Sequence, residues 1–293
     1  MMKIGKVITA MVTPFNSEGK VDYEQTKKLL DHLIANGSDA IILAGTTGES
    51  PTLTYDEKVS LFKLAVDYTQ KRVPIIAGTG TNNTRASIHL TEVATKLGVD
   101  GILLVSPYYN KPSQLGIYEH FKAIAQATHL PIMLYNIPSR TGSQIDASTT
   151  ISLSKIENIQ AIKESSGDLE LMATIIENTD DHFQVYTGDD SQALPSLAIG
   201  AKGVVSVAAH LIGKEIQNMI NAYLNGNVVE AAQLHRQLLP IMKALFIAPN
   251  PVCVKYAISQ LHFNVGSVRL PLASITKVEK ELIDQQIRQI NNG

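Results

Sequence analysis

Eight short apolar runs limit what this chain can fold into: Val7–Thr13, Asp39–Gly45, Val73–Gly78, Val99–Ser106, Leu130–Asn136, Ile159–Ser165, Phe183–Gly188 and Ala201–Val207. They are nearly continuous in Ile, Val, Leu, Ala and Gly instead of alternating with charge, which is the pattern of parallel strands buried on both faces. Between them, apolar residues recur at helical spacing. Leu29, Leu30, Leu33 and Ile34 make one stripe, and Leu61, Leu64, Ala65 and Tyr68 another. Asp22-Tyr-Glu-Gln25 and Thr54-Tyr-Asp-Glu57 read as capping boxes that open helices, and Gly37 and Gly98 as glycines that close them. Strand–helix alternation eight times over about 225 residues predicts an α/β chain folded as a (β/α)8 TIM barrel. A doubly wound open sheet is the alternative, but it usually has fewer strands, and no glycine fingerprint follows the first run here.

Three further helical stretches follow the eighth unit: Val228–Phe246, Pro251–Phe263 and Ser274–Ile290. Pro240 predicts a kink or break in the first, and Ala248-Pro-Asn-Pro251 reads as a tight connection. The expected organisation is a barrel over residues 1–226 and a C-terminal helical appendage over 227–293. A formal net charge of −2 with no basic cluster argues against nucleic acid as a partner. The single Cys253 excludes an internal disulfide and suits a reducing compartment. Met1-Met-Lys-Ile-Gly-Lys-Val7 lacks the apolar centre of a signal peptide, and no apolar run approaches the roughly 18 residues of a membrane helix. A soluble cytoplasmic protein, without a membrane partner, is expected.

In such barrels, reactive groups collect after the C-terminal ends of the strands. The sixth run, Ile159-Gln-Ala-Ile-Lys-Glu-Ser165, ends on a lysine; regular alternation would put Ile159, Ala161 and Lys163 on one face and Gln160 and Ile162 on the other. A desolvated ammonium loses its proton more readily, and a neutral amine can attack a carbonyl carbon. The plainer reading of Lys163 is a strand-end lysine reaching solvent, or paired with Glu164 or another carboxylate. Other groups bear on that choice. Gly45-Thr-Thr-Gly-Glu-Ser50 brings small residues and hydroxyls together as a nest for a small carboxylate. Gly78-Thr-Gly-Thr-Asn82 lacks the third glycine of a dinucleotide loop and reads as a close-packed turn. Tyr135 shares a strand face with Met133, which aims its phenol into the barrel beside Lys163; imine formation needs a group that lends and recovers a proton. Arg140, after Pro138, can clamp a second carboxylate. The Tyr108–Tyr109 pair is a substrate wall or a subunit contact.

Asp189, Asp190 and Glu49 raise a divalent-metal alternative, but no Cys/His spacing supports it; His210 reads as a polar rim residue. One nucleophilic lysine, one phenol, one carboxylate nest and one arginine point to covalent catalysis on a 2-oxo acid. The protonated imine is then the electron sink, so neither a metal nor another cofactor is called for. A barrel that merely binds a small acid is the competing class.

With those residues in place, the chain resembles the dihydrodipicolinate synthase / N-acetylneuraminate lyase family of class I aldolases. The likeness covers essentially the whole chain, and its signatures are Gly45-Thr-Thr-Gly-Glu-Ser50 and Tyr135-Asn-Ile-Pro138 followed by Ile162-Lys163-Glu-Ser165. The resemblance implies that Lys163 forms a Schiff base with pyruvate. Tyr135, Thr47 and Tyr109 would be the proton relay, with Tyr109 crossing from a neighbouring subunit. Thr46 and Thr47 would hold the pyruvate carboxylate, and Gly188 and Val205 would supply backbone contacts. It also implies a homotetramer, a dimer of tight dimers. Thr-Thr in the nest, and Arg140 as an anchor for aspartate β-semialdehyde, favour the synthase branch over the sugar lyases. Lysine-inhibited members carry histidines and an acid where this chain has Tyr55, Lys58 and Ala86, so weak feedback by lysine is expected.

Overall fold

Each of the eight apolar runs supplies one strand, and the strands close on themselves in chain order, every neighbour pair parallel. The computed structural model describes residues 4–291; Met1–Lys3, at the start of the N-terminal stretch considered above, lie outside the described residues. The strands are β1 Val7–Ala10, β2 Ala40–Leu43, β3 Ile75–Gly78, β4 Gly101–Val105, β5 Ile132–Asn136, β6 Ile159–Glu164, β7 Gln184–Thr187 and β8 Gly203–Ser206. Helices α1 Tyr23–Ala35, α2 Tyr55–Thr69, α3 Thr84–Leu97 and α4 Gln114–Ala125 follow the first four strands. Two short helices, α5 Pro138–Thr141 and α6 Ala147–Leu153, follow β5, and α7 Leu169–Glu177, α8 Ala193–Ala198 and α9 Ala209–Leu224 complete the ring. The chain then adds α10 Val228–Ala244, α11 Val252–Leu261 and α12 Lys277–Asn291.

The strand residues sort into two apolar layers, as alternation on a closed sheet requires. Ile8, Ala10, Ile42, Ile76, Leu103, Met133, Ala161, Tyr186 and Val205 fill the inside of the barrel. Ile41, Leu43, Ile75, Leu104, Leu134, Ile162, Val185 and Val204 face the helices, whose own stripes, Leu29–Leu30–Leu33 and Leu61–Ala65 among them, are buried against them. The same outer cluster continues into α10 and α11 through Leu238, Ile241, Val254 and Ile258.

Local signals hold with two exceptions. Thr54 and Glu57 make both halves of a capping box, but Asp22 only accepts from the Gln25 amide, so that cap is one-sided. α10 runs through Pro240 without a break. The larger departure concerns β6. Ile132 pairs with Ile159, but Met133 pairs with Ala161, so β6 carries one extra residue at Gln160. The bulge shifts the phase: Ile159 packs in the outer layer with Ile162, while Ala161 lies inside. Lys163 faces inward as expected, without Ile159 beside it.

Candidate active site

Lys163 lies at the upper end of β6, paired in register with Tyr135 of β5 and Tyr186 of β7. Its side chain is buried, and its Nζ is 4.3 Å from the centre of the Tyr135 ring. No carboxylate among the described residues forms an ion pair with it. Glu164, the obvious partner in the chain, points the other way. One of its oxygens accepts from Asn136 Nδ2 at 2.9 Å and the other from the Ser166 amide at 2.7 Å. Burial pushes the Glu164 carboxyl above its usual range, against those hydrogen bonds. The ion-paired reading of Lys163 therefore fails on geometry.

The lysine owes its room to Gly188, just after β7. A Cβ at that position would lie 1.9 Å from Ser165 Oγ and 2.5 Å from Lys163 Cε, so no larger residue fits. Val205 on β8 is fully buried on the barrel interior, in the same cluster as Tyr135. A cavity of about 250 Å³ opens above these strands, and Thr46, Tyr108, Tyr135, Arg140 and Lys58 are among the residues lining it. Arg140 reaches it from α5, whose start is set by Pro138 and whose end is closed by Gly142.

The loop after β2 is more constrained than its composition suggests. The amides of Gly48, Glu49 and Ser50 already donate to carbonyls of Thr46 and Gly45 within the loop, at 3.0–3.2 Å. Among the described residues, the Thr46 and Thr47 amides have no such acceptor, which leaves them as the free donors of the nest. Thr47 is buried, and its hydroxyl accepts a 2.9 Å hydrogen bond from Asn250 Nδ2, contributed by the connection between α10 and α11. Composition gave no sign of this contact; Asn250 stood only in a tight Pro-Asn-Pro turn.

The tyrosine pair divides. Tyr108 lines the cavity, whereas Tyr109 has a positive φ of 73° and is 89% exposed, outside the cavity of its own chain. The structure thus brings Lys163, Tyr135 and Gly188 together, and Thr46, Tyr135 and Arg140 around one cavity. Thr47 lies behind that lining, and Tyr109 is apart.

The acids behind the metal alternative have other partners. Glu49 Oε1 is 2.6 Å from Lys255 Nζ, and its Oε2 accepts from the Arg269 amide. Asp190 accepts from the Ser206 hydroxyl and from the Val207 and Ala208 amides, and so ties the β7 loop to the β8 loop. Asp189 accepts from the Ser191 amide and hydroxyl. His210 is not a rim residue: it is fully buried, its Nδ1 pairs with the Val207 carbonyl and its Nε2 accepts from the Val12 amide. Burial lowers its pKa to about 4. Further links join the loops around the mouth. Thr13 Oγ1 donates to the Gly48 carbonyl, Asn82 Nδ2 to the Tyr108 carbonyl, and the Gly188 amide to the Glu164 carbonyl. Gly78 and Gly80 are the close-packed turn expected, since added Cβ atoms would come within 2.5 Å of Ala44 and Val105 backbone atoms.

Residues 3–290 match the family described as the dihydrodipicolinate synthetase family. A 4-hydroxy-tetrahydrodipicolinate synthase of Halalkalibacterium halodurans is 56% identical over 289 residues, covering 99% of both chains. The crystal structure of a dihydrodipicolinate synthase from Bacillus anthracis superposes with a TM-score of 0.97 at 53% identity, covering 98% of this chain and 99% of that one. One from Cyanidioschyzon merolae, with lysine bound, gives 0.98 at 47% identity, covering 99% of each.

Proposed function

The chain belongs to the dihydrodipicolinate synthetase family, and from that membership we propose how its barrel mouth works. It condenses pyruvate with aspartate β-semialdehyde to 4-hydroxytetrahydrodipicolinate, on the route to diaminopimelate and lysine, and is a lyase. The observation that carries the reading is a buried lysine with no carboxylate partner among the described residues, facing a phenol across adjacent strands.

Lys163 Nζ adds to C2 of pyruvate, and loss of water leaves a protonated imine. That cation takes up the electron pair released when C3 loses a proton. The enamine carbon then attacks the aldehyde carbon of the semialdehyde, and the new alkoxide takes a proton. The amino group of the semialdehyde displaces Lys163 from C2, which closes the ring and restores the free amine. Tyr135 lends and recovers protons at the imine, with Thr47 as the next group in the relay. The amides of Thr46 and Thr47 hold the pyruvate carboxylate, Gly188 and Val205 contact the substrate through their backbone, and Arg140 holds the second carboxylate. The exposed Tyr109 completes the relay of a neighbouring subunit, so the working form is a homotetramer assembled from dimers. Sedimentation of a dimer or tetramer is expected, and an active monomer would remove Tyr109 from the relay. The C-terminal helical region proposed over 227–293, described to residue 291, is an appendage that braces the β2 loop. No helix among the described residues is long and apolar enough to cross a membrane; a cytoplasmic location is our reading of the single buried cysteine.

The purified protein should consume pyruvate with aspartate β-semialdehyde as acceptor. Arg140→Ala should raise KM for the semialdehyde by about 10²-fold while borohydride still traps pyruvate on the enzyme. An unchanged KM would transfer the acceptor to the neutral sugars used by sibling lyases.

Regulation by lysine is proposed to be weak. The half-buried Lys58 presents a cation, its pKa lowered by burial, and Tyr55 stacks on His89 with ring centres 5.3 Å apart. Ala86 offers no acid to pair with an added ammonium. Calorimetry should show no tight lysine binding at micromolar concentrations, and a tight isotherm would overturn this.

A further inference from the structure

We propose that Asn250, from the C-terminal appendage, is a positioning residue that sets the direction of hydrogen bonding at Thr47. The inference rests on the relay reading of Thr47 given above. Asn250 is buried, and its Nδ2 donates to Thr47 Oγ1 at 2.9 Å. A hydroxyl has two lone pairs and one proton. The amide occupies one lone pair, so Thr47 keeps one acceptor position and its proton, and both face away from Asn250. A hydroxyl held this way keeps its acceptor position and its proton on a fixed path, ready for transfer either way; a freely rotating hydroxyl does not.

The connection that carries Asn250 is itself held in place. Lys255, at the start of α11, forms the buried pair with Glu49, two residues beyond Thr47. Arg269 binds the same carboxylate through its amide and grips Glu57 with its guanidinium. The β2 loop is therefore fixed from the appendage at Thr47, Glu49 and Thr52, the first of them through the hydroxyl the chemistry uses. The side-chain oxygen of Asn250 is buried with no partner among the described residues.

Asn250→Asp keeps the shape but, when ionised, can only accept from Thr47. Its kcat should fall about tenfold or more at neutral and alkaline pH, with KM for pyruvate within about twofold. Relative to the parent, kcat should recover as pH falls and the carboxyl regains a proton to donate. Wild-type kcat at every pH would overturn the proposal. A cycle of Asn250→Ala, Thr47→Val and the double variant tests it without a buried charge, should Asn250→Asp not fold. If Asn250 acts through Thr47, removing it should cost nothing further in the Thr47→Val background. An undiminished loss there would sink the proposal and leave Asn250 a structural residue. Thr47→Val at full rate would instead sink the relay reading on which the proposal depends.

Discussion

Two lysines are buried among the described residues, and their surroundings are opposite. Lys163, inside the barrel, is 5% exposed and has a phenol ring but, among the described residues, no carboxylate ion-paired with it. Lys255, outside it, is 2% exposed, 2.6 Å from Glu49, bonded to the Ser267 carbonyl at 2.9 Å and 4.0 Å from the centre of the Phe15 ring. Burial lowers the pKa of Lys255 to about 8, against the pull of Glu49. Depth alone therefore does not mark a nucleophile. What separates the two is that Lys255 has its counter-charge in the protein, whereas the amine of Lys163 is left open for the pyruvate we propose it binds.

The sharpest way to break that contrast is to remove each amine. Lys163→Ala should reduce turnover to background and abolish borohydride trapping, while Tm moves by less than about 4 °C; a large drop in Tm would make Lys163 structural. Lys255→Met should do the reverse. It strands Glu49 in the interior and should cost about 3–5 kcal/mol of stability by denaturant melts. Lys255→Met with Glu49→Leu should recover much of that loss, and no recovery would mean that the ion pair is not what the site needs. A smaller effect tests the buried support behind the barrel mouth. His210 is neutral in the fold down to about pH 4 but protonates near 6.5 when unfolded. The unfolded chain thus binds more protons between those values, and stability should decline by up to about 3 kcal/mol as pH falls from 6.5 to 4. His120, also held near 4 by burial, adds to the same slope. His210→Gln should flatten the decline in Tm over that window, and an unchanged slope would assign the acid sensitivity elsewhere.

The barrel was legible because every strand announces itself as an apolar run between capped helices, a local signal repeated eight times. Lys163, Tyr135 and Arg140 were legible for a related reason: strand ends in this architecture converge, so position along a run becomes position at the mouth. What escaped was set by contacts far apart in the chain. Asn250 and Thr47 are 203 residues apart, and Arg269 and Glu57 are 212 apart, and neither pair has a spacing to read. His210 was misplaced because its hydrogen-bond partners are backbone groups, which leave no trace in composition. The face of Ile159 was misassigned because alternation assumes one residue per pleat, and β6 has one too many.

That surplus residue has a genetic consequence. Losing Gln160 would leave Ile159 outward and Ala161 inward in plain alternation, with the lysine still directed at the lumen. Losing Ala161 or Ile162 would be taken up by the same bulge with Lys163 still inward, but it would put the Gln160 amide inside the apolar barrel. Along this strand, a deletion leaves both apolar layers undisturbed at one place only, three residues upstream of Lys163.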